Sequence, residues 1–314
     1  MKNTLLLGNG FIRTVYKNTP SWRDIIKASD EEEIPITILY EKGLLQNKHA
    51  DNKYKQEITD RLRNCVQSSK ITYDTEILSK FGSLLEEHDI QNVMTTNYDK
   101  GIEDILCDFN GYAIDWLEDV KRDAGEKIYS IRRRIKLKSE KNRPLYIWKI
   151  HGDIDNLASV SLGFDHYCGT LAKIDSYIKG RYQSDSGFSC LIPMIDKCND
   201  KTDGSFDNIS WVELFFNSNI YIAGLGLDYA EVDIWWLLNK RARLNKQGLP
   251  IMNKIVYLYN SYDLGDVEVD PDKAAYMRRA FENKKKILKS FNVEFARIDT
   301  DDNYLPSIFS AILD

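Results

Sequence analysis

Six short apolar runs recur along the chain, at residues 3–7, 92–96, 145–150, 220–225, 255–260 and 293–298. Most are apolar on both faces, the pattern of strands in a sheet that is covered on both sides. Between them, residues 51–66, 74–88, 230–244 and 270–291 place apolar side chains three or four apart, which predicts amphipathic helices. Strands alternating with helices predict an α/β fold, a parallel sheet flanked by helices and joined by right-handed crossovers. Two regions are too long for single crossovers. Residues 26–90 read as mostly helical, and residues 155–210 hold few strand signals and several turn residues. Both are expected to be insertions that build a helical lobe against the sheet, so that residues 1–314 form one domain.

Composition narrows this only a little. The 314 residues are 43% hydrophobic and 29% charged, ordinary for a globular chain with a substantial core. A net charge of -5 and a pI near 5.6 give no overall nucleic-acid footprint, and direct binding of nucleic acid is not expected. No apolar run reaches the roughly 20 residues of a membrane span. The opening MKNTLLLGNGF lacks a small-residue cleavage site and reads as a buried first strand. Five cysteines, Cys65, Cys107, Cys168, Cys190 and Cys198, are scattered without a CxxC pair. Neither a disulfide framework nor a structural zinc site is expected, and a cytoplasmic location fits. Residues 121–143 carry five Lys and five Arg against three acids. Without an aromatic platform or binding motif, this stretch reads as a solvated insertion rather than a phosphate or partner patch.

Candidate chemistry lies at the ends of four predicted strands. In LLLGNGF an apolar strand runs into Gly8, Asn9 and Gly10, then Phe11, a turn able to expose amide N–H groups to a phosphate. The full GxGxxG pattern is absent, because Arg13 occupies the third glycine position. A tight strand-to-helix turn explains the loop equally well. In TTNYD, Thr96, Asn97 and Asp99 follow the second run. Asn97 offers both a donor and an acceptor, suited to ribose hydroxyls or a positioned water. Asp99 is also a natural cap for the helix that follows. In WKIHGDI, His151 directly follows a strand and can accept a proton near neutrality, although a lone histidine is more often structural. In IYIAGLGLD, Gly224 and Gly226 permit close approach of a ligand, with Leu227 and Asp228 after them. Trp235 and Trp236 are expected in the core or in a subunit interface.

Taken in this order, these motifs resemble the sirtuin superfamily, in particular the sirtuin-like NAD-hydrolysing domain of bacterial anti-phage defence systems. The resemblance runs from residue 3 to about 240. Pro20-Ser21-Trp22-Arg23-Asp24 and SVSLGFDHY at 159–167 are similar to segments of the defence proteins, and GNGF is also similar to the AbiH abortive-infection family. The second motif departs by carrying Thr96 where sirtuins have glutamine. The resemblance implies a Rossmann-like domain with NAD as substrate, and Asn97 and His151 as the catalytic pair. Asn97 would position water or ribose, and His151 would take a proton from a ribose hydroxyl or water. Gly8, Asn9 and Gly10 would face the pyrophosphate, with Phe11 and Thr96 also binding the cofactor. Asp99 would lie near the nicotinamide end and Gly224 and Gly226 near the adenosine ribose, with Leu227 and Asp228 also binding the cofactor. The paired zinc cysteines of deacylating sirtuins have no counterpart, which makes water the expected acceptor and an NAD glycohydrolase the expected activity. A protein deacylase or ADP-ribosyltransferase, and a non-catalytic nucleotide-binding subunit, are the competing readings. Gating of a toxic activity would come from homo-oligomerisation or from a separate regulator such as a HerA-type ATPase.

Overall fold

The computed structural model describes residues 1–17, 19–26, 34–46, 51–68, 70–71, 73–115, 128–139, 141, 143–184, 187–200, 206–299 and 303–313. The strands, in chain order, are β1 (Lys2–Leu7), β2 (Tyr16–Lys17), β3 (Lys70–Ile71), β4 (Ile90–Thr95), β5 (Ala113–Ile114) and β6 (Arg134–Lys138). They continue with β7 (Pro144–Lys149), β8 (Tyr182–Gln183), β9 (Ser189–Cys190), β10 (Ser218–Ala223), β11 (Ile255–Tyr259) and β12 (Val293–Arg297). Eight of them form one sheet in the order β12-β11-β10-β1-β4-β7-β6-β5. The six predicted strands are β1, β4, β7, β10, β11 and β12, and every pairing among them is parallel. Counted in chain order among themselves they run 6-5-4-1-2-3, the order of a doubly wound dinucleotide-binding sheet. The chain leaves β1 towards β4 and β7, then returns on the other side through β10. The switch point of the topology therefore lies between β1 and β10.

Alternation along each strand fills both faces. Leu6, Met94, Trp148, Ile222 and Tyr257 point to one layer, where they meet Ile174 and Tyr177 of the helix Phe164–Ile178. The same layer holds Phe215 of Trp211–Asn217, Leu237 of Val232–Lys246 and Leu288 of Pro271–Ser290. Leu5, Leu7, Val93, Ile147 and Val256 point the other way, against the helices Asn9–Val15, Phe81–Glu87, Gly101–Asn110 and Tyr304–Leu313. Strands buried on both faces are what continuous apolar runs specify.

The helical lobe is smaller than the sequence suggests. Its core joins Leu39 and Tyr40 of Ile36–Gln46, Tyr54, Ile58 and Leu62 of Asp51–Ser68, and the loop residues Ile154, Val160 and Leu162. Within the expected insertions at 26–90 and 155–210, the helices Phe81–Glu87 and Phe164–Ile178 press on the sheet itself. The predicted helix at 74–88 is two short helices, Thr75–Leu78 and Phe81–Glu87, because the chain turns at Ser79 and Lys80.

The basic stretch also differs from expectation. Residues 121–127, 140 and 142 lie outside the described residues. Of the rest, residues 134–138 form β6, antiparallel to β7. Arg132, Arg133 and Arg134 are only 8, 8 and 7% exposed, so this part is not a solvated insertion. The Arg132 guanidinium lies 3.9 Å over the Phe188 ring and that of Arg134 3.8 Å over Tyr146. Stacking on aromatic faces lets a weakly hydrated guanidinium be buried.

Candidate active site

The loops after β1 and β10 interlock at the switch point. The Gly8 N–H donates to the Ala223 carbonyl at 3.0 Å and the Gly10 N–H to the Gly224 carbonyl at 2.7 Å. A Cβ on Gly8 would sit 2.5 Å from the Gly224 oxygen, and one on Gly10 would sit 2.7 Å from it. Backbone proximity alone thus requires both glycines. The amides expected to face a pyrophosphate at Gly8 and Gly10 are instead used to lock two strand ends together. One turn into the helix, Arg13 and Thr14 reach the cavity wall, so the residue that breaks the glycine motif supplies a cation there. Gly224 has φ +61°, and Leu227 has φ +45° while fully buried, an uncommon conformation for a branched side chain.

The TTNYD segment is fixed from two sides. The Thr95 hydroxyl donates to the Leu7 carbonyl at 2.9 Å and accepts the Asn97 N–H at 3.0 Å. The Asp99 carboxylate accepts the Gly101 N–H at 2.8 Å, but the N-cap position of that helix is Lys100, so Asp99 stands one residue before the capping place expected of it. Lys149, at the end of β7 and fully buried, donates to the Asp99 carbonyl at 2.5 Å and pairs with buried Glu103 at 2.6 Å. Burial pulls the Lys149 ammonium down, but Glu103 and nearby aspartates outweigh it and hold it charged. Held between these anchors, Asn97 is 2% exposed, and neither its Oδ1 nor its Nδ2 has a hydrogen-bond partner among the described residues. A buried amide left unpaired on both atoms is rare in a folded protein and fits a side chain that waits for a ligand.

His151 follows β7 and is 3% exposed. Its Nε2 lies 3.1 and 3.3 Å from the two carboxylate oxygens of Asp233, which is fully buried in the first turn of Val232–Lys246. A carboxylate only accepts, so Nε2 carries the proton and Nδ1 is left to exchange one. Burial lowers the His151 basicity and the Asp233 charge raises it, with a net increase. The ring sits edge-on to Tyr167, 5.3 Å between centroids. The Tyr98 hydroxyl donates to the Ser161 carbonyl, and the Ser161 N–H donates to the His151 carbonyl at 2.8 Å, which ties the two strand ends into one wall. Beside them stands Glu231, whose carboxyl is pushed up to about 7 by burial, against the pull of His151.

At the far end, past β11, the Asn260 N–H donates to Asp263 at 2.9 Å, and the Tyr257 hydroxyl donates to the Leu225 carbonyl at 2.7 Å. Burial raises the Asp263 carboxyl, and Lys284 opposes this. Lys284 itself is lowered by burial and donates to the Gly226 carbonyl.

These strand ends surround one cavity of about 1000 Å³. Its wall includes Asn260 and Asp263 after β11, Gly224, Gly226, Asp228 and Glu231 after β10, Asn9 and Gly10 after β1, Thr96 after β4 and His151 after β7. Five adjacent strands span roughly 19 Å at the ~4.8 Å spacing of a sheet, the reach of an extended dinucleotide rather than a mononucleotide. Among the residues singled out from sequence, Asn9, Gly10, Thr96, His151, Gly224, Gly226 and Asp228 line the cavity. Gly8, Phe11, Asn97, Asp99 and Leu227 do not. Phe11 is a core residue, 5.8 Å from Phe81 and 6.3 Å from Tyr304 between ring centroids. Asn97 lies between two wall residues, Thr96 and Tyr98. Asp233, Glu231, Tyr167 and Asp263 were not anticipated. Asp233 meets His151 across 82 residues of chain, and no local pattern announces that. Trp235 and Trp236 pack partly buried against the core.

Among the described residues, no three His, Cys, Asp or Glu side chains are placed to hold a metal ion. Cys107, Cys168, Cys190 and Cys198 are free thiols, and the Cys65 side chain lies outside the described residues. No described helix is long and apolar enough to cross a membrane. No curated protein matches the chain. Residues 91–190, from β4 through Asn97 and His151 to β9, match the family model of the SIR2-like domain. Over that stretch the chain is similar to SIR2-like proteins, which supports a sirtuin-related, NAD-binding function.

Proposed function

We propose that the chain is an NAD glycohydrolase, which cleaves the nicotinamide–ribose bond of NAD+ and transfers the ADP-ribosyl group to water. The observation that carries this reading is His151 on the cavity wall, with Nε2 held by a buried carboxylate and Nδ1 unclaimed among the described residues. That is the arrangement of an imidazole prepared to take a proton from a ribose hydroxyl, with Asp233 stabilising the cation that results. In this reading Asn97, which adjoins the wall residues Thr96 and Tyr98 without lining the cavity itself, turns its unpaired amide to ribose or water once substrate is bound. The SIR2-like match covers both residues.

The cavity's polarity suggests how the substrate lies. The scissile end belongs by His151 and Glu231, and the phosphates by Arg13, Thr14 and Ser21. The adenosine ribose belongs by Asn260 and Asp263, with Gly224 and Gly226 at its approach. Water is the acceptor in this reading. The biological setting we propose is anti-phage defence by NAD depletion. An activity that toxic needs gating, by homo-oligomerisation or by a separate ATPase of the HerA type.

Cleavage of a fluorescent NAD analogue by the purified chain tests the reading, alone and with proteins encoded beside it. Wild type should release equal amounts of nicotinamide and ADP-ribose, and Asn97→Ala and His151→Ala should each lose at least about 100-fold in kcat. Release of nicotinamide only when an acetylated peptide is added would assign the chain to deacylation instead.

A further inference from the structure

Glu231 stands at the scissile end of the cavity without a chemical step of its own. It sits on the wall, and its Oε2 is buried with no hydrogen-bond partner among the described residues. Two nearby cationic donors are engaged elsewhere. His151 is taken by Asp233, Asp233 also accepts the Ile234 N–H at 2.9 Å, and Lys284 donates to the Gly226 carbonyl. The backbone beneath Glu231 is firmly held. Its N–H donates to the Asp228 carbonyl at 2.9 Å, and its own carbonyl accepts the Trp235 N–H at 3.1 Å. Trp235 Nε1 donates to the same Asp228 carbonyl at 3.0 Å. A carboxylate on a firmly held backbone, facing a cavity and lacking a donor among the described residues, is set up to meet a proton that arrives with the substrate.

We propose that Glu231 is a catalytic residue, the general base that takes the proton of the attacking water, while the His151–Asp233 pair serves the ribose hydroxyl. This assignment rests on the hydrolase reading. As an O–H bond of water breaks, its proton passes to the Glu231 carboxylate and the oxygen bonds to ribose C1′. The C1′–N1 bond breaks with its electron pair going to the nicotinamide nitrogen, which neutralises the ring. Glu231 then releases its proton to solvent. NAD+ and water become nicotinamide, ADP-ribose and one proton, so atoms and charge balance.

The surroundings suit the role. Burial raises the carboxyl to about 7, with Asp233 and Asp228 adding to the rise and His151 and Lys284 opposing it. Tyr98, Tyr167 and Tyr257 also face the group and stay protonated because burial raises each of them. A base that titrates near the working pH combines adequate ionisation with adequate basicity.

The test compares full-length wild type, Glu231→Gln and Glu231→Asp, with ADP-ribose affinity measured by calorimetry beside the pH profile of kcat for NAD. Wild-type kcat should rise through pH of about 7. Glu231→Gln should lose about 100-fold or more in kcat, lose that ionisation, and keep ADP-ribose affinity within a few-fold. Glu231→Asp should recover part of the rate. If Glu231→Gln keeps the wild-type rate and profile while Asn97→Ala and His151→Ala are inactive, the Glu231 role is overturned and the hydrolase reading stands. If both Glu231 variants lose ADP-ribose binding together with thermal stability, the residue is structural and the role is again overturned. If wild type releases no nicotinamide under any condition, both ideas fall.

Discussion

Asn97 holds an amide with no partner in a site that is 2% exposed. An unsatisfied buried polar group costs about 1–3 kcal/mol. Asn97→Ala should therefore leave the free protein as stable as wild type, or more so, while abolishing turnover; chemical denaturation beside the NAD assay checks this. A large loss of stability would mean that the amide has a structural role. Asp233→Asn tests the imidazole's support. The Asn amide would donate to Nε2 and leave Nδ1 carrying the proton, the wrong tautomer for accepting one, and kcat should fall by about 10²–10⁴-fold with little change in fold. Glu231 has a signature in stability as well. Its carboxyl is raised from 4.5 to about 7, so the folded state binds that proton more tightly than the unfolded state. Wild type should lose stability as pH rises from about 4.5 to about 7, by up to roughly 3 kcal/mol at 1.36 kcal/mol per unit. Glu231→Gln should lack that decline in denaturation curves taken across the same range.

At the scale of elements, the site depends on two joints. Lys149 of β7 and Glu103 of the helix Gly101–Asn110 form a buried pair that also holds the Asp99 carbonyl. Lys149→Met should cost about 3–5 kcal/mol because it strands a buried carboxylate, and adding Glu103→Leu should restore most of the loss; a double-mutant cycle by urea denaturation reads the coupling. The second joint is the contact of the two glycine loops, where Gly8→Ala has no room beside the Gly224 oxygen. The six parallel strands were legible because strands buried on both faces must be continuously apolar. Strand β6 was not, since its sequence RIKLK reads as charge unless Tyr146 and Trp148 are known to lie under Arg134. Asn97 and His151 could be singled out because each directly follows an apolar run. Asp233 and Glu231 could not, because they begin an ordinary amphipathic helix, and only the sheet topology brings that helix to His151. Of the two readings open for Gly8 and Gly10, the tight turn is the one their backbone shows, with both amides bonded across to the end of β10.

For the molecule as a whole, the strand order 6-5-4-1-2-3 opens a crevice at the switch point, and residues such as Ile36, Thr37, Leu162 and Tyr167 wall it into a cavity five strands wide. A ligand that fills it should stabilise the fold by mass action. ADP-ribose at 100 times its dissociation constant contributes about 2.7 kcal/mol, which should raise Tm by roughly 5 °C. AMP spans only the part near Asn260 and Asp263 and should need a higher concentration for the same shift. The central claim is that NAD lies along these strand ends with its scissile bond beside His151, and a crystal structure of Asn97→Ala soaked with NAD tests it most directly. The adenosine is expected by Asn260 and Asp263, and the nicotinamide ribose within hydrogen-bond reach of His151 and Glu231. A dinucleotide bound in the opposite direction, or outside this cavity, would contradict the account.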